Sequence, residues 1–384
     1  MIILAVGLIR GKEGIQSFEL PKPEIQSPTD VLVRVVEAGI NGTDYSIVQE
    51  NEFDMPPGED TMTLGHEAVG VVEETGPEVG TLKEGDLVVP TVRRGCGLCA
   101  PCLHGRSDMC QTGLFTERGI HKRHGYFAEY FVDDEEYIVK VPEGVEPLAV
   151  LTEPLSIAEK AVDEVKYIRA PAFWSCSHPD HSVESEGWGN CKVGLVVGAG
   201  PLGFLSTGVL RLNGVHTYVA EIVPEDTPKV QLVKELRAHY INVKDRGADD
   251  VIRETGYLDI IIEASGASEL ALNLTVGLAR NGICVLTGIP RGRREVCLDG
   301  NLMARTLVRE NQVVMGSVNS SRQHFILALD DLRSLRENYG PTMQKVISHR
   351  YPLADFKRVF EYREPGEIKS VFEVSEMEAI REAA

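Results

Sequence analysis

Four cysteines crowd one short stretch, Cys96, Cys99, Cys102 and Cys110, in the spacing C-x2-C-x2-C-x7-C. Four thiolates so close along a chain can surround one tetrahedral metal and fill every position on it, so the loop reads as a structural zinc site that does no chemistry of its own. Iron–sulfur ligation shares such spacings. A second segment, Gly198-Ala199-Gly200-Pro201-Leu202-Gly203, fits G-x-G-x-x-G. Glycines there permit a tight turn, close approach of backbone N–H groups to a pyrophosphate, and close packing of a helix on a strand. Glu221 follows eighteen positions after Gly203. A carboxylate at that place accepts hydrogen bonds from ribose hydroxyls and repels a 2′-phosphate, which favours NAD and leaves NADP open. Three further segments are bland singly: Asn41-Gly42-Thr43-Asp44, Gly65-His66-Glu67 and Thr152-Glu153-Pro154. A lone His66 can be a hydrogen-bonded core histidine, and Thr43 a turn threonine.

The elements that must position these residues change character along the chain. Residues 1–153 carry short β runs, such as 31–37, 68–73 and 86–90, broken by Gly and Pro, which predicts an all-β or barrel-like unit. Leu155, Ala158, Ala161, Val162 and Val165 then repeat at helical spacing over 154–168. An irregular insert, 169–192, holds Cys176, His178, His181 and Cys191. Their spacing fits no regular metal motif, so a surface loop or, in a hyperthermophile, a disulfide is the stronger reading. From 193 the pattern alternates: strands at 193–197, 215–220, 258–264, 282–288 and 312–318, helices at 201–213, 228–239 and 269–279. That alternation predicts a parallel, doubly wound sheet. The tail beyond 319 shows two helical runs and a strand at 370–374.

A chain of 384 residues predicts two domains. The expected division is a catalytic domain over 1–187 and 318–384, with a dinucleotide-binding domain over 188–317. A formal net charge of -19 argues against nucleic acid and anionic membrane as partners. No apolar run is long enough to span a bilayer, and residues 1–8 lack the basic start and cleavage site of a signal peptide. A cytoplasmic protein is expected.

Taken together and in this order, the motifs resemble the zinc-dependent medium-chain alcohol dehydrogenase superfamily. They are more similar still to the archaeal-type glucose 1-dehydrogenases, through residues 89–96 (VPTVRRGC), 116–121 (TERGIH), 151–160 (LTEPLSIAEK), 316–319 (GSVN) and 366–369 (GEIK). The resemblance implies an α/β fold, a Rossmann sheet plus a mainly β GroES-like catalytic domain. It implies a catalytic zinc at His66, with Glu67 and Glu153 ligating it directly or sitting beside it and Asn41 as a further, weaker candidate ligand. Asn41 stands where the superfamily usually has Cys and some sugar dehydrogenases have Asp. A neutral amide oxygen is a poorer zinc ligand than either. Neighbours in a strand point to opposite faces, so His66 and Glu67 can share one metal only if the backbone turns there.

By the same resemblance, Thr43 relays the substrate proton, and Asn41, Glu117, Glu153 and Asn319 face the sugar. Gly198, Gly200, Pro201, Leu202, Gly203, Glu221, Val318, Asn319 and Lys369 serve the cofactor, although an exposed lysine before the last strand is an equally ordinary reading of Lys369. Asp44 supports the Thr43 loop or caps it. Many relatives carry Asn-Arg-Arg where Ala220-Glu221-Ile222 stand, which agrees with NAD. The implied activity is oxidation of an aldose at C1 to the lactone, by a homo-oligomer (dimer or tetramer) with one catalytic and one structural zinc. Two other readings are a zinc dehydrogenase of another polyol or secondary alcohol, and a nucleotide-binding protein whose metal site has decayed.

Overall fold

The apolar run near residue 31 folds as the strand Asp30–Gly39, buried along almost its whole length. A strand without an exposed face must lie mid-sheet, and this one pairs antiparallel with Glu67–Thr75, Tyr130–Asp134 and Lys369–Glu373. Leu87–Pro90 and Ile138–Lys140 continue the sheet on one side, Ile347–Pro352 on the other. Val33, Val35, Val72, Val88, Phe127 and Phe372 belong to its buried core. Each such side chain gains roughly 1.5–3 kcal/mol by leaving water. The N-terminal apolar run forms the strand Ile2–Ile9, between Gln16–Pro21 and Thr61–Thr63 in a smaller sheet. Register then sets up chemistry: Gly39 lies opposite Glu67 on one side and opposite Val371 on the other. The segments around Asn41, Glu67 and Lys369 therefore meet at neighbouring strand ends.

The computed structural model describes residues 1–50, 53–170, 187–292, 295–364 and 366–376. Two compact units emerge, Met1–Ser156 with Asn319–Arg336 and Met343–Ala384, and Ile157–Val318 with Glu337–Thr342. The first border thus falls earlier than the one expected at residue 187. The helix Thr152–Arg169 explains this. Its Lys160 Nζ donates to Val318 O at 2.9 Å, and Arg169 Nη2 donates to Gly282 O and Asn311 O at 3.2 and 2.6 Å, all within the second unit.

The second unit is a six-stranded parallel sheet in the order His239–Asn242, His216–Glu221, Val193–Val197, Leu258–Glu263, Leu278–Leu286, Val313–Gly316. Two expected helices are shorter than their sequence pattern. Pro228–Glu235 stops before Arg237, whose φ of 57° turns the chain into the unforeseen strand His239–Asn242. Ser268–Leu274 passes through a 3-10 turn at Thr275–Gly277 and gives way to a strand from Leu278. The helices Ala248–Thr255 and Gly300–Arg309 were not foreseen; the first buries only Val251 and the second no side chain. Gly42–Glu50, where a turn was expected, is also helical. Among the described residues, no helix is long and apolar enough to cross a membrane.

Candidate functional site

Gly65 solves the problem of two neighbours facing one point. It sits at φ 86°, and a β-carbon there would lie 2.3 Å from the ring of Phe127. Left-handed backbone without side-chain bulk is glycine's territory. The chain therefore turns at His66 before the strand Glu67–Thr75 begins. Glu153 joins from the first turn of the helix Thr152–Arg169. One ligand atom from each of His66, Glu67 and Glu153 comes within 4.8 Å of the others, and all three residues are buried.

The surroundings are carboxylate-rich. Asp44, fully buried, places Oδ1 3.4 Å from His66 Nδ1 and accepts from Asn41 N at 2.8 Å through Oδ2. It caps its loop, as expected, and also faces the imidazole, which was not foreseen. Glu67 Oε1 accepts from Asn41 Nδ2 at 2.7 Å, and Glu67 Oε2 pairs with the ammonium of Lys369. Lys369 is no exposed lysine: it is 1 % exposed and also donates to Ile40 O at 2.9 Å. Burial draws the His66 pKa down, yet Asp44, Glu153 and Glu67 outweigh it and hold the ring up at about 9. Burial, with the charge of Glu67, pushes Glu153 up to about 7 against the pull of His66 and Lys369. Excess negative charge in a dry site, with nitrogen and oxygen donors converging, fits a divalent cation.

Asn41 is engaged at both ends of its amide. Its Oδ1 accepts from Thr43 N at 3.1 Å while Nδ2 serves Glu67. Thr43 itself stands at the start of the helix Gly42–Glu50. Glu117 and Asn319, far apart in sequence, are bonded directly, Asn319 Nδ2 donating to Glu117 Oε1 at 2.6 Å. Both are buried, and Arg93, within the segment 89–96 but given no role by the sequence, lies against the same Glu117 oxygen. The Arg93-Arg94 doublet in an otherwise apolar β context was the available signal.

Cys96, Cys99, Cys102 and Cys110 bring their sulfurs within 4.8 Å of one another. Backbone N–H groups of Leu98 and Cys99 point at Cys96 Sγ, 3.5 and 3.4 Å away. A hydrogen bond from Thr112 and these two amides draw the Cys96 thiol down to about 6, which favours the thiolate that a metal needs. Of the insert cysteines and histidines, Cys176, His178 and His181 lie outside the described residues; Cys191 is half-buried.

In the second unit, Gly198 sits at φ 100°, and a β-carbon on Gly203 would come 2.0 Å from Gly198 O. A β-carbon on Gly200 would meet nothing within 4 Å. Two glycines thus serve the turn and its packing, while the third leaves open space beside the backbone. Pro201 and Leu202 open the helix Pro201–Leu212. Glu221 ends the neighbouring strand, accepting from Ala199 N at 3.0 Å and Ile222 N at 2.8 Å. Val318 is exposed and its carbonyl receives Lys160.

Comparison with known proteins gives this geometry a family. Residues 146–374 match the family model described as glucose dehydrogenase C-terminus, and 27–143 match the alcohol dehydrogenase GroES-like domain. A glucose 1-dehydrogenase of Methanocella arvoryzae is 35% identical over 350 residues, covering 90% of this chain and 92% of that one. Glucose 1-dehydrogenase 2 of Vulcanisaeta moutnovskia is 35% identical over 96% of this chain and 99% of its own. Among solved structures, Haloferax mediterranei glucose dehydrogenase in complex with NADP, Zn and gluconolactone superposes with a TM-score of 0.85. It is 31% identical, over 97% of this chain and 100% of that one. With a GroES-like domain followed by a Rossmann sheet, and both family models matched, the chain belongs to the glucose dehydrogenase family of oxidoreductases, which act on CH–OH donors.

Proposed function

We propose that this chain oxidises an aldose, glucose or galactose, at C1 to the lactone, with NAD as the preferred hydride acceptor. The observation that carries the reading is the buried convergence of His66, Glu67 and Glu153. Similarity to a Haloferax enzyme whose structure holds NADP, Zn and gluconolactone gives that convergence its substrate class. A zinc held by these three residues supplies, when bound, Lewis-acid polarisation of the C1 hydroxyl. A second zinc belongs to the four cysteines, where a filled coordination shell stabilises the loop.

The roles of the protein's own groups follow from their neighbours. Asp44 orients His66, and Lys369 balances Glu67, so in this reading the lysine acts on the carboxylate and not on the cofactor. Asn41 holds Glu67 and stays out of the ligand set. Its amide can point only one way, because an N–H at Thr43 demands the oxygen and a carboxylate demands the nitrogen. The Thr43 hydroxyl takes the substrate proton toward solvent. Glu117 and Asn319 hold sugar hydroxyls, for which charged acceptors and amides suit better than an apolar pocket. The N–H groups at the Gly198–Gly203 turn receive the pyrophosphate at the N-terminus of the helix Pro201–Leu212. Glu221, at the tip of the next strand, accepts the ribose hydroxyls and opposes a 2′-phosphate.

The test is a panel of aldoses, polyols and secondary alcohols assayed with NAD and NADP, on protein whose zinc content has been measured. We expect lactone from glucose or galactose, a higher kcat/KM with NAD, and about two zinc ions per chain. Turnover on no aldose with either nucleotide would overturn the reading, and turnover on polyols alone would move the activity there.

A further inference from the structure

Arg93 lies in the segment 89–96 without a role assigned to it, yet its guanidinium organises the neighbourhood of Glu117. The strand Arg93–Arg94 pairs antiparallel with Thr116–Arg118, in a register that sets Arg93 opposite Glu117. Arg93 Nε and Nη2 both lie 2.9 Å from Glu117 Oε1. Nη1 donates to Asp108 O at 2.8 Å, and the guanidinium stacks 4.0 Å above the Phe115 ring. Asp108 lies between Cys102 and Cys110, so this third contact ties the arginine to the cysteine loop.

The consequence lies in how the carboxylate is shared. Arg93 Nε and Nη2 and Asn319 Nδ2 all converge on Oε1, and among the described residues Oε2 receives no hydrogen bond. An ionised carboxylate accepts on both oxygens. We infer that Arg93 is a positioning residue for sugar recognition. It commits one oxygen of Glu117 to the protein and leaves the other as a fixed acceptor for a substrate hydroxyl, with the cysteine loop as its anchor through Asp108. The inference rests on the proposed reading of Glu117 as a sugar-binding residue. A frozen acceptor loses little side-chain entropy when substrate arrives, and it discriminates hydroxyl configuration more sharply than a mobile one. The planar fork matters as much as the charge. A lysine could neutralise Glu117 but could not hold both that oxygen and the Asp108 carbonyl in one plane.

Steady-state kinetics on glucose with Arg93→Met, Arg93→Lys, Glu117→Gln and the Arg93→Met/Glu117→Gln double variant test this, with nucleotide affinity and thermal unfolding measured alongside. Each single variant should raise the sugar KM about tenfold or more, as expected for a lost charge-assisted hydrogen bond, while kcat and nucleotide affinity change little. The double variant should be no worse than Glu117→Gln alone, because both act through one carboxylate. Arg93→Lys carries the test if Arg93→Met fails to fold. Unchanged KM in the arginine variants, or additive effects in the double, would overturn the role of Arg93 and leave that of Glu117 standing. Unchanged KM in Glu117→Gln, or no aldose turnover by the unmodified chain, would remove both.

Discussion

The side-chain nitrogen of Asn41 donates to Glu67 Oε1 across 2.7 Å. Lys369 closes on the other oxygen of the same carboxylate. Glu67 is thereby held between an amide and an ammonium in a fully buried setting. Asn41→Ala should remove one donor and cost about 1–3 kcal/mol, the penalty for a buried acceptor left without a partner. Urea unfolding of the metal-free protein measures it. An unchanged midpoint would show that the amide contributes nothing to holding Glu67.

His66→Ala removes the one nitrogen donor of the convergent set. If the side chain serves as the proposed ligand and not as a core filler, turnover should fall at least about a hundredfold while the melting curve keeps a single cooperative transition. Zinc per chain should drop by about one, with the cysteine site intact. Retained turnover would sink the assignment.

Glu221 faces the Gly198–Gly203 turn, proposed above to receive the nucleotide, and Lys229 Nζ lies 3.9 Å from its Oε2. Glu221→Arg exchanges repulsion of a 2′-phosphate for attraction. The ratio of kcat/KM for NADP over NAD should rise about tenfold or more, equivalent to roughly 1.4 kcal/mol. No change in that ratio would reject the ribose role.

Asp133 anchors a different kind of charge cluster. It is buried, pairs with Arg94, and accepts from Arg118 Nε and Nη2 at 3.0 and 2.7 Å. Burial pushes its carboxyl up, but the two guanidinium groups prevail and hold it down at about 2. A depressed carboxylate stabilises the fold above its unfolded pKa of about 4 and loses that contribution as pH falls through the folded value. Stability should therefore decline between about pH 4 and about pH 2. Asp133→Asn should cost about 3–5 kcal/mol at neutral pH, because it leaves buried guanidinium charge unpaired. It should also flatten the acid limb of the stability profile. A variant as acid-sensitive as the parent would show that other carboxylates govern that limb.

Legibility varied with how local each signal was. The strand Val193–Val197, the glycine turn and the following helix were readable because each is specified within a few residues. The cysteine loop was readable for the same reason. The strand Ile347–Pro352 escaped because its burial alternates irregularly and its partner, Lys369–Glu373, lies beyond a helix. Glu263 gave no sign either, although its buried Oε1 accepts from Ser265 N, Ser265 Oγ and Ala267 N and so shapes the loop after its strand. A glutamate ending an apolar strand looks the same whether it clasps a loop or meets water.

By itself the sequence determined the order of the two folding patterns, the donor types for metal and nucleotide, and the family to which they belong. These depend on spacing and composition, which a linear chain displays. Only the tertiary structure decided which donors meet. Antiparallel register sets Glu67 beside Asn41 and brings Lys369 to the same carboxylate. The return of the chain after residue 318 delivers Asn319 to Glu117 and Arg93. Strand pairing and chain return are long-range choices made by the burial of whole faces, so the partners they create leave no trace in local pattern.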